Sequence, residues 1–372
     1  MNNNSDLAWA DRLHLMGLCI QQHLVRSMRG GDQSTRSPDG SGSSFSDVVA
    51  EEGGDRIYAI DREVEPILER QIKSWPDECF PLQLIAEGLG KDGCQRFGAE
   101  DQSLRYRVIV DPIDGTRMLM YDKRSAWFLA AVVEEPQEDS LAGIADSIAS
   151  VLVELPTTKQ NLADSFVAIR SGTFNQSIKN ATRVQCRRRD CSGSAAKDFE
   201  PDTSDTVDFE EIEFTCSLAT NLTDGFVSVM NCFPGTRRLA ADLIETIAER
   251  TGSVTTIPEF FDDQYISTGG QMVQLMTGKD RCCIDLRPLF NQIVGRTDDD
   301  RFLEAHPYDM AGWLAAKQAG VVMTDGFGNE FTAPLDVSTG VHWCGYANDA
   351  VRKIIEPVIQ DWLKANNCIK PI

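Results

Sequence analysis

The sequence predicts an α/β fold whose N-terminal part is of the α+β kind. Apolar runs at 126–133, 148–154 and 166–169 follow one another along the chain and favour an antiparallel sheet in the N-terminal half. From residue 226 to residue 365, short apolar runs alternate with helical patterns, which is typical of an α/β layer. A β-branched run at 108–110 predicts a further buried strand, and this one leads directly into polar residues.

The elements that precede this strand can be predicted in order. Apolar residues recur at helical spacing from Asp6 to Met28 and predict a first helix that packs on the sheet. The segment 30–46 is polar and rich in Gly and Ser, so we expect a mobile loop. Another helix should begin near Asp61, because apolar residues recur at helical spacing just after this candidate N-cap.

Composition changes in the middle of the chain and predicts two domains. An arginine cluster at 183–189 is followed by an acidic stretch with little apolar content, which we interpret as an exposed connection. The alternative is that these arginines contact an anionic group of a ligand. The predicted division is an N-terminal α+β domain at 1–178, a polar connection at 179–208 and a C-terminal α/β domain at 209–372.

Charge and cysteine content exclude several classes of protein. The formal net charge is −21, which opposes a nucleic acid polymer or an anionic membrane as the main partner. The eleven cysteines include no Cys-x-x-Cys pair, so they predict reduced thiols rather than a zinc ribbon or a disulfide scaffold. The N-terminus carries no basic segment, and no apolar run is long enough to span a bilayer. We therefore expect a cytoplasmic protein.

The most informative segment, 108–116, reads Val-Ile-Val-Asp-Pro-Ile-Asp-Gly-Thr. Pro112 cannot donate to a sheet ladder, so the strand should end at Asp111. Asp111 and Asp114 would then lie together at a strand end. Two carboxylates at such a point are suited to a hard cation, and magnesium is typically held by one or two carboxylates and by substrate phosphates.

The residues that follow suit a phosphate. Gly115 lets the backbone come close to a ligand, and Thr116 can begin a helix whose first N–H groups point into the same space. The two carboxylates are not spaced as Asp-x-Asp, which disfavours a phosphorylated aspartate and favours water as the nucleophile. No Gly-x-x-x-x-Gly-Lys-Ser/Thr loop is present, so a nucleotide-triphosphate site of that kind is not indicated.

The run at 111–116 resembles the signature of the inositol monophosphatase family of metal-dependent phosphatases. Three further blocks are similar to that family. They are an apolar stretch that ends in Glu87, the helix that begins near Asp61, and a Tyr-Asp pair at 308–309 followed by an Ala- and Gly-rich helix. The resemblance covers roughly residues 50–370 and implies a layered αβαβα sandwich of the sugar-phosphatase type. The chain departs from the family at Gly88, where many members have a second Glu.

The resemblance implies the site residues one by one. The metal ligands would be Glu87, Asp111, Asp114, Asp309 and the carbonyl of Ile113, holding two or three Mg²⁺ ions, with Mn²⁺ as an alternative. The catalytic residues would be Asp61, Thr116 and Glu87. In this scheme the Thr116–Asp61 pair and one ion activate a water, a second ion stabilises the leaving oxygen, and no covalent intermediate forms.

The resemblance also implies a substrate side. The phosphate is expected on the N–H groups of Gly115 and Thr116. The block at 264–279 is similar to a Gly/Ser turn and helix of the family, and the candidate substrate residues are Ser267, Gly269, Gly270 and Glu304. On the alternative interpretation, Ser267 and the two glycines only form the N-terminus of a helix.

The implied activity is that of a phosphoric monoester hydrolase acting on a small phosphorylated metabolite, an inositol phosphate or a sugar phosphate. A 3′(2′),5′-bisphosphate nucleotidase is the enzymatic alternative, because Arg117 follows the signature as in nucleotidase-type members. A non-catalytic regulatory protein that binds a phosphorylated metabolite is the alternative of another class, and Gly88 is the feature that favours it. The resemblance leaves a homodimer open.

Overall fold

The computed structural model describes residues 3–30, 48–52, 55–89, 92–136, 141–174, 183–192, 208–297 and 300–368. The predicted loop at 30–46 lies outside this part of the chain, apart from Gly30 at the end of the first helix. The chain divides into two units. The first comprises residues up to Glu213 together with Tyr308–Ala315 and Pro334–Val337, and the second comprises Phe214–Pro307, Ala316–Ala333 and the C-terminal residues from Ser338.

The first unit is a mixed sheet with helices. Its helices are α1 (Asn3–Gly30), α2 (Ala59–Lys73) and α3 (Thr116–Met120), and a hairpin of β1 (Val48–Glu52) and β2 (Asp55–Tyr58) precedes α2. Within the described residues, the main sheet has the order β10-β9-β8-β7-β6-β5-β3-β4. Its strands are β3 (Leu82–Ala86), β4 (Cys94–Phe97), β5 (Tyr106–Asp114), β6 (Ala126–Glu134), β7 (Ser147–Leu155), β8 (Leu162–Ile169), β9 (Val184–Asp190) and β10 (Glu210–Ile212).

Apolar burial explains this arrangement. The predicted strands at 126–133, 148–154 and 166–169 lie in β6, β7 and β8, which pair antiparallel to one another. Buried side chains of α1 join the core that these strands form, among them Leu13, Met16 and Ile20. Because β6 and β7 are buried along almost their whole length, one face alone cannot account for their apolar runs.

The predicted polar connection is wrong for the segment Val184–Asp190, which forms β9. Val184 and Cys186 are buried, whereas Gln185 between them and the three arginines after them are only partly covered. Arg188 donates to both carboxylate oxygens of Asp164 on β8, at 2.7 and 2.9 Å. The strand is therefore stabilised by an ion pair and by two buried side chains. The high charge of the segment made it resemble an exposed loop in the sequence. The other predicted domain limits stay a prediction.

The second unit contains a five-stranded sheet in the order β12-β11-β13-β15-β14. Its strands are β11 (Gly225–Val229), β12 (Phe260–Phe261), β13 (Asp280–Asp285), β14 (Val322–Thr324) and β15 (Trp343–Tyr346), and its helices include α4 (Arg237–Arg250), α5 (Thr268–Met276), α6 (Arg287–Ile293) and α8 (Asp349–Ala365). Strand β11 is parallel to β12 and β13, while β15 runs antiparallel to β13 and β14. Helices and strands alternate as predicted, and the α/β fold class is confirmed.

Two further observations concern the described residues. No helix among them is both long enough and apolar enough to cross a membrane. All eleven cysteines lie in the described part of the chain as free thiols, and Cys282 and Cys283 are buried residues of β13, as expected for ordinary strand positions.

Candidate metal centre and active site

The site begins where two parallel strands end. Strands β3 and β5 are parallel, with Ala86 opposite Val110. Each of these two residues is followed by an acid. Glu87 follows Ala86, and Asp111 follows Val110. Since neighbouring parallel strands place their carboxyl ends at the same edge, the pairing brings both acids to one edge of the sheet.

A β-bulge then shapes the acidic segment. In the pairing with β6, Asp111 lies opposite Leu129 and Asp114 lies opposite Trp127, so two residues of β5 oppose a single residue of β6. The strand was predicted to end at Asp111, but it continues to Asp114 with Pro112 inside the bulge. A bulge tolerates proline because the ladder is already interrupted there. Asp111 Oδ1 accepts a hydrogen bond of 3.0 Å from the Ile113 N–H, which fixes the direction of its carboxylate.

The chain turns sharply after the bulge. Gly115 has φ 98° and ψ 30°, a left-handed conformation that glycine adopts without strain, and α3 begins at Thr116 as predicted. The helix is short, five residues from Thr116 to Met120. The predicted phosphate contacts at Gly115 and Thr116 stay a prediction.

The third carboxylate comes from a distant part of the sequence. Asp309 lies in a short 3-10 helix, Pro307–Met310, which precedes α7 (Trp313–Ala319). The segment Tyr308–Ala315 belongs to the first unit, whereas the prediction placed Asp309 in the C-terminal domain. The Ala315 N–H donates to Ser150 Oγ on β7 at 3.2 Å, and the side chains of Tyr308 and Met310 are buried. These contacts place Asp309 next to Asp111 and Asp114 of β5.

The three aspartates meet as a cluster. One carboxylate oxygen from each of Asp111, Asp114 and Asp309 lies within 4.8 Å of the other two. Asp111 and Asp114 are each only 5% exposed, and Asp309 is half-buried. Burial raises the pKa of Asp111 well above its ordinary value, and the negative charges of Asp114, Asp309 and Glu87 raise it further.

This donor set fits a hard divalent cation. Buried carboxylates without compensating charge are costly, and a bound cation would remove both the burial penalty and the mutual repulsion. The ligands are oxygens with no nitrogen or sulfur among them, which suits Mg²⁺ or Mn²⁺ better than Zn²⁺. The residues that would hold the ion are Asp111, Asp114 and Asp309. Glu87 is close enough for its charge to raise the pKa of Asp111.

A hydroxyl and a further carboxylate lie next to the cluster. Thr116 Oγ1 is 3.1 Å from Asp61 Oδ1 and 2.8 Å from the carbonyl oxygen of Ile113. The other oxygen of Asp61 accepts a hydrogen bond of 2.8 Å from the Tyr58 N–H at the start of α2. The prediction that Asp61 is the N-cap is wrong, because α2 begins at Ala59 and its N-cap is Tyr58. Asp61 is the third residue of the helix, where its side chain accepts from the N-cap N–H and is also the partner of Thr116. The predicted Thr116–Asp61 pair is present in the structure.

The departure from the family at residue 88 has a local physical reason. Gly88 has φ +73°, in the turn that follows β3. A side chain in this conformation would be strained, so a glutamate is disfavoured by the backbone itself.

The predicted substrate residues Ser267, Gly269, Gly270 and Glu304 all lie in the second unit. Ser267 is the N-cap of α5, and its side chain accepts a 2.9 Å hydrogen bond from the Gly270 N–H. A Cβ on Gly270 would lie 2.3 Å from the ring of Tyr265, so glycine is required there by close packing. These residues thus have local structural roles, and their contact with a substrate stays a prediction.

Glu304 is also buried within the second unit. Its Oε1 accepts a 2.7 Å hydrogen bond from Asn291, and its Oε2 lies 3.3 Å from Arg301. Burial raises the pKa of this carboxyl group, while the Asn291 hydrogen bond and the Arg301 charge lower it. A structural ion pair accounts for these contacts, and the predicted role in orienting a substrate is untested by them.

Tyr58 is a residue of the site that the sequence did not indicate. Tyr58 supplies the N–H that holds Asp61, and its ring lies 5.7 Å from the guanidinium carbon of Arg117. The only signal in the sequence is its position, directly before the helix that carries Asp61.

Comparisons with known proteins agree with this architecture. No family model matches the sequence, and no curated protein matches it either. Among solved structures, the chain is similar to the Thermotoga maritima IMPase, with 15% identity, a TM-score of 0.52 and coverage of 95% of this chain and 97% of that one. A candidate sedoheptulose-1,7 bisphosphatase from Toxoplasma gondii gives 12% identity, a TM-score of 0.60 and 94% coverage of both chains.

A third similar structure is the extragenic suppressor protein suhB from Bartonella henselae. It shares 14% identity and a TM-score of 0.53, and the match covers 91% of this chain and 94% of that one. The matches span nearly the full length of both chains. The chain therefore shares the fold of these solved structures.

Proposed function

We propose that the chain is a Mg²⁺-dependent phosphomonoesterase that hydrolyses a small phosphorylated metabolite, an inositol phosphate or a sugar phosphate. The main support for this proposal is a cluster of three aspartates, two of them buried, whose oxygens lie within 4.8 Å of one another, next to a threonine hydroxyl that contacts a carboxylate. The fold shared with an IMPase and with a candidate sugar bisphosphatase supports the same class of substrate.

The chemistry divides between the cation and the chain. When bound, Mg²⁺ would lower the pKa of a water and neutralise charge on the phosphate. Asp111, Asp114 and Asp309 would hold it, with Glu87 and the carbonyl of Ile113 as further ligands in the proposal. The Ile113 carbonyl oxygen lies 2.8 Å from Thr116 Oγ1, and its two lone pairs leave room for another partner.

Thr116 and Asp61 orient the nucleophile. The hydroxyl of Thr116 has one proton, and Asp61 Oδ1 at 3.1 Å can accept it. While the hydroxyl donates its one proton to Asp61 rather than to the Ile113 carbonyl oxygen, the Thr116 oxygen can accept a hydrogen bond from a water on its other side. The attacking water is thereby held in one direction, and positioning of this kind supplies much of the rate enhancement in phosphoryl transfer. No side chain has to form a covalent bond to phosphorus.

The proposal includes a cellular context. The net charge of −21 argues against a polyanionic partner, and a small anion is accommodated only where cations neutralise the local acids. We propose the cytoplasm as the location, with a homodimer as the assembly that the resemblance leaves open.

The test is phosphate release from a panel of inositol, sugar and 3′-nucleotide phosphates. Each ester is incubated with Mg²⁺ and with EDTA, using the wild type, Asp114→Asn and Asp146→Asn. Asp146 is a matched control because it is exposed and directly precedes Ser147, which pairs with Val133, four residues along β6 from the Leu129 that lies opposite Asp111. We expect Mg²⁺-dependent release that Asp114→Asn lowers by at least about 100-fold, a loss typical of a group that stabilises the transition state.

The preferred ester would identify the substrate class, and a 3′-nucleotide preference would replace the proposed class by the nucleotidase alternative. No release from any ester, together with intact binding of a phosphorylated metabolite, would contradict an enzymatic function. That result would favour a regulatory protein.

A further inference from the structure

The segment that holds Asp61 is linked to the signature helix by a second contact. The guanidinium carbon of Arg117, in α3, lies 5.7 Å from the centroid of the Tyr58 ring, directly before α2. This distance is within the range of an attractive cation–π interaction. Tyr58 is only 9% exposed, so its ring is a fixed surface for the guanidinium.

The same two residues flank the Thr116–Asp61 pair in sequence. Arg117 directly follows Thr116, and the N–H of Tyr58 donates to Asp61 Oδ2 at 2.8 Å. Asp61 and Thr116 are 55 residues apart in the chain, so their 3.1 Å contact depends on how the start of α2 lies against α3. The Arg117–Tyr58 contact joins these two segments at the same place.

We propose that Arg117 and Tyr58 are positioning residues that hold the carboxylate of Asp61 against the Thr116 hydroxyl. The backbone N–H of Tyr58 fixes one oxygen of Asp61, and the guanidinium over the ring fixes the ring and therefore the backbone that carries this N–H. The inference rests on the proposed function for its kinetic consequence. Its structural consequence, a Tyr58 N–H protected by Asp61, does not depend on any activity.

The kinetic test compares Arg117→Met, Tyr58→Leu and their combination with the wild type. Arg117→Lys and Tyr58→Phe are the conservative variants, since each keeps the cation or the ring. Arg105→Met is the matched control, because Arg105 lies 5.4 Å from the centroid of Tyr106 in the same unit. We expect kcat to fall about 10-fold in each disruptive single variant, with KM unchanged within about 2-fold, because misplacement affects the transition state more than binding.

The two effects should not add. If both residues act through one contact, the double variant has about the same kcat as either single variant. Arg117→Lys and Tyr58→Phe should recover most of the wild-type kcat, and Arg105→Met should leave it unchanged. A purely structural loss would instead affect Arg105→Met equally and would not be recovered by the conservative variants.

The second readout is hydrogen exchange at the Tyr58 amide, measured in EDTA so that no bound metal contributes. We expect faster exchange at this amide in Arg117→Met than in the wild type or in Arg105→Met. If the wild type hydrolyses no ester, the proposed function fails while this measurement still decides the inference. If Arg117→Met has the same Tyr58 amide exchange rate and the same kcat as the wild type, the inference is overturned.

Discussion

Among single residues, Asp111 shows why a buried carboxylate favours a bound cation. Its carboxylate is 5% exposed and lies against two other aspartates, and burial is the main reason why its pKa is raised. In the absence of metal, a carboxyl group with a raised pKa stabilises the fold only while it is protonated. Its stabilising effect is lost as the pH rises through the folded-state pKa, so at neutral pH the acid opposes folding.

Replacing this acid should therefore have opposite effects with and without metal. We expect Asp111→Asn to raise the melting temperature in EDTA, because the amide removes a buried repulsive charge. With Mg²⁺ at about 100 times its dissociation constant, the wild type should gain about 2.7 kcal/mol, and Asp111→Asn should gain almost none. Differential scanning calorimetry of both proteins in EDTA and in Mg²⁺ measures this. Asp146→Asn, with the full Mg²⁺ response of the wild type, is the control, and an equal response in Asp111→Asn would contradict the assignment.

Sequence alone could predict some of these residues and not others. Asp111 and Asp114 are three residues apart in the chain, so sequence alone indicates their proximity, although the bulge that contains them was predicted as a strand end. Asp309 joins them only through tertiary packing, and a resemblance was needed to indicate it. Tyr58 has no chemical signature in the sequence, because its role depends on a backbone N–H and on the placement of its ring.

At the scale of elements, the packing of α1 on the sheet sets strict limits on side-chain size. A Cβ on Gly17 would lie 2.5 Å from the ring of Phe128 on β6 and 2.6 Å from Val153 on β7. Helix propensity alone would favour alanine over glycine by about 1 kcal/mol. We expect the steric clash of an alanine side chain at this position to cost more than helix propensity gains.

We therefore expect Gly17→Ala to lower the free energy of unfolding by about 1–3 kcal/mol, the usual cost of overpacking a core. Urea denaturation followed by circular dichroism is the measurement. Ser27→Ala in the same helix is the control, since Ser27 is only partly buried, and it should be neutral or slightly stabilising. A more stable Gly17→Ala would show that α1 does not approach β6 and β7 as closely as described.

The same helix contains a buried histidine that predicts acid sensitivity. Burial lowers the pKa of His14 from 6.5 to about 3, and the charges of Arg187 and Arg189 lower it further. The ring is therefore neutral in the folded chain at pH 5, while the unfolded chain binds a proton there. Stability is lost as the pH falls below the unfolded pKa, by about 2 kcal/mol between pH 7 and pH 5.

His14→Gln removes this titration. We expect the difference in unfolding free energy between pH 7 and pH 5 to shrink by about 2 kcal/mol in this variant. His23→Gln is the control, because that ring is partly exposed and contacts Glu63 at the surface. An unchanged pH dependence in His14→Gln would mean that His14 is protonated in the folded chain.

Strand β9 marks where element prediction failed. The segment 184–190 reads Val-Gln-Cys-Arg-Arg-Arg-Asp, with only two apolar residues. One buried face of a strand needs little more than these, provided that the charged side chains find partners such as Asp164. An ion pair across strands cannot be read from composition, so the strand had the appearance of a solvated loop.

At the scale of the whole molecule, the net charge of −21 opposes the approach of an anionic ester. Salt screens such long-range repulsion, with a Debye length of about 30 Å at 0.01 M and about 8 Å at 0.15 M. At constant free Mg²⁺, kcat/KM should therefore rise about 2-fold or more over this range. Steady-state kinetics in a KCl series measures this, with sucrose as a neutral control. A fall in kcat/KM with salt would contradict this prediction, because it would indicate a positive electrostatic potential where the substrate enters the site.

The aspartates of β5 and of the 3-10 helix Pro307–Met310 should together form one divalent metal centre. Its most direct test is an anomalous difference map from crystals grown with Mn²⁺, collected for the wild type and for Asp114→Asn. We predict a wild-type peak at about 2.0–2.2 Å from the carboxylate oxygens of Asp111, Asp114 and Asp309, lost or weakened in the variant. Wild-type crystals with Mn²⁺ bound elsewhere and none between these three residues would contradict the account.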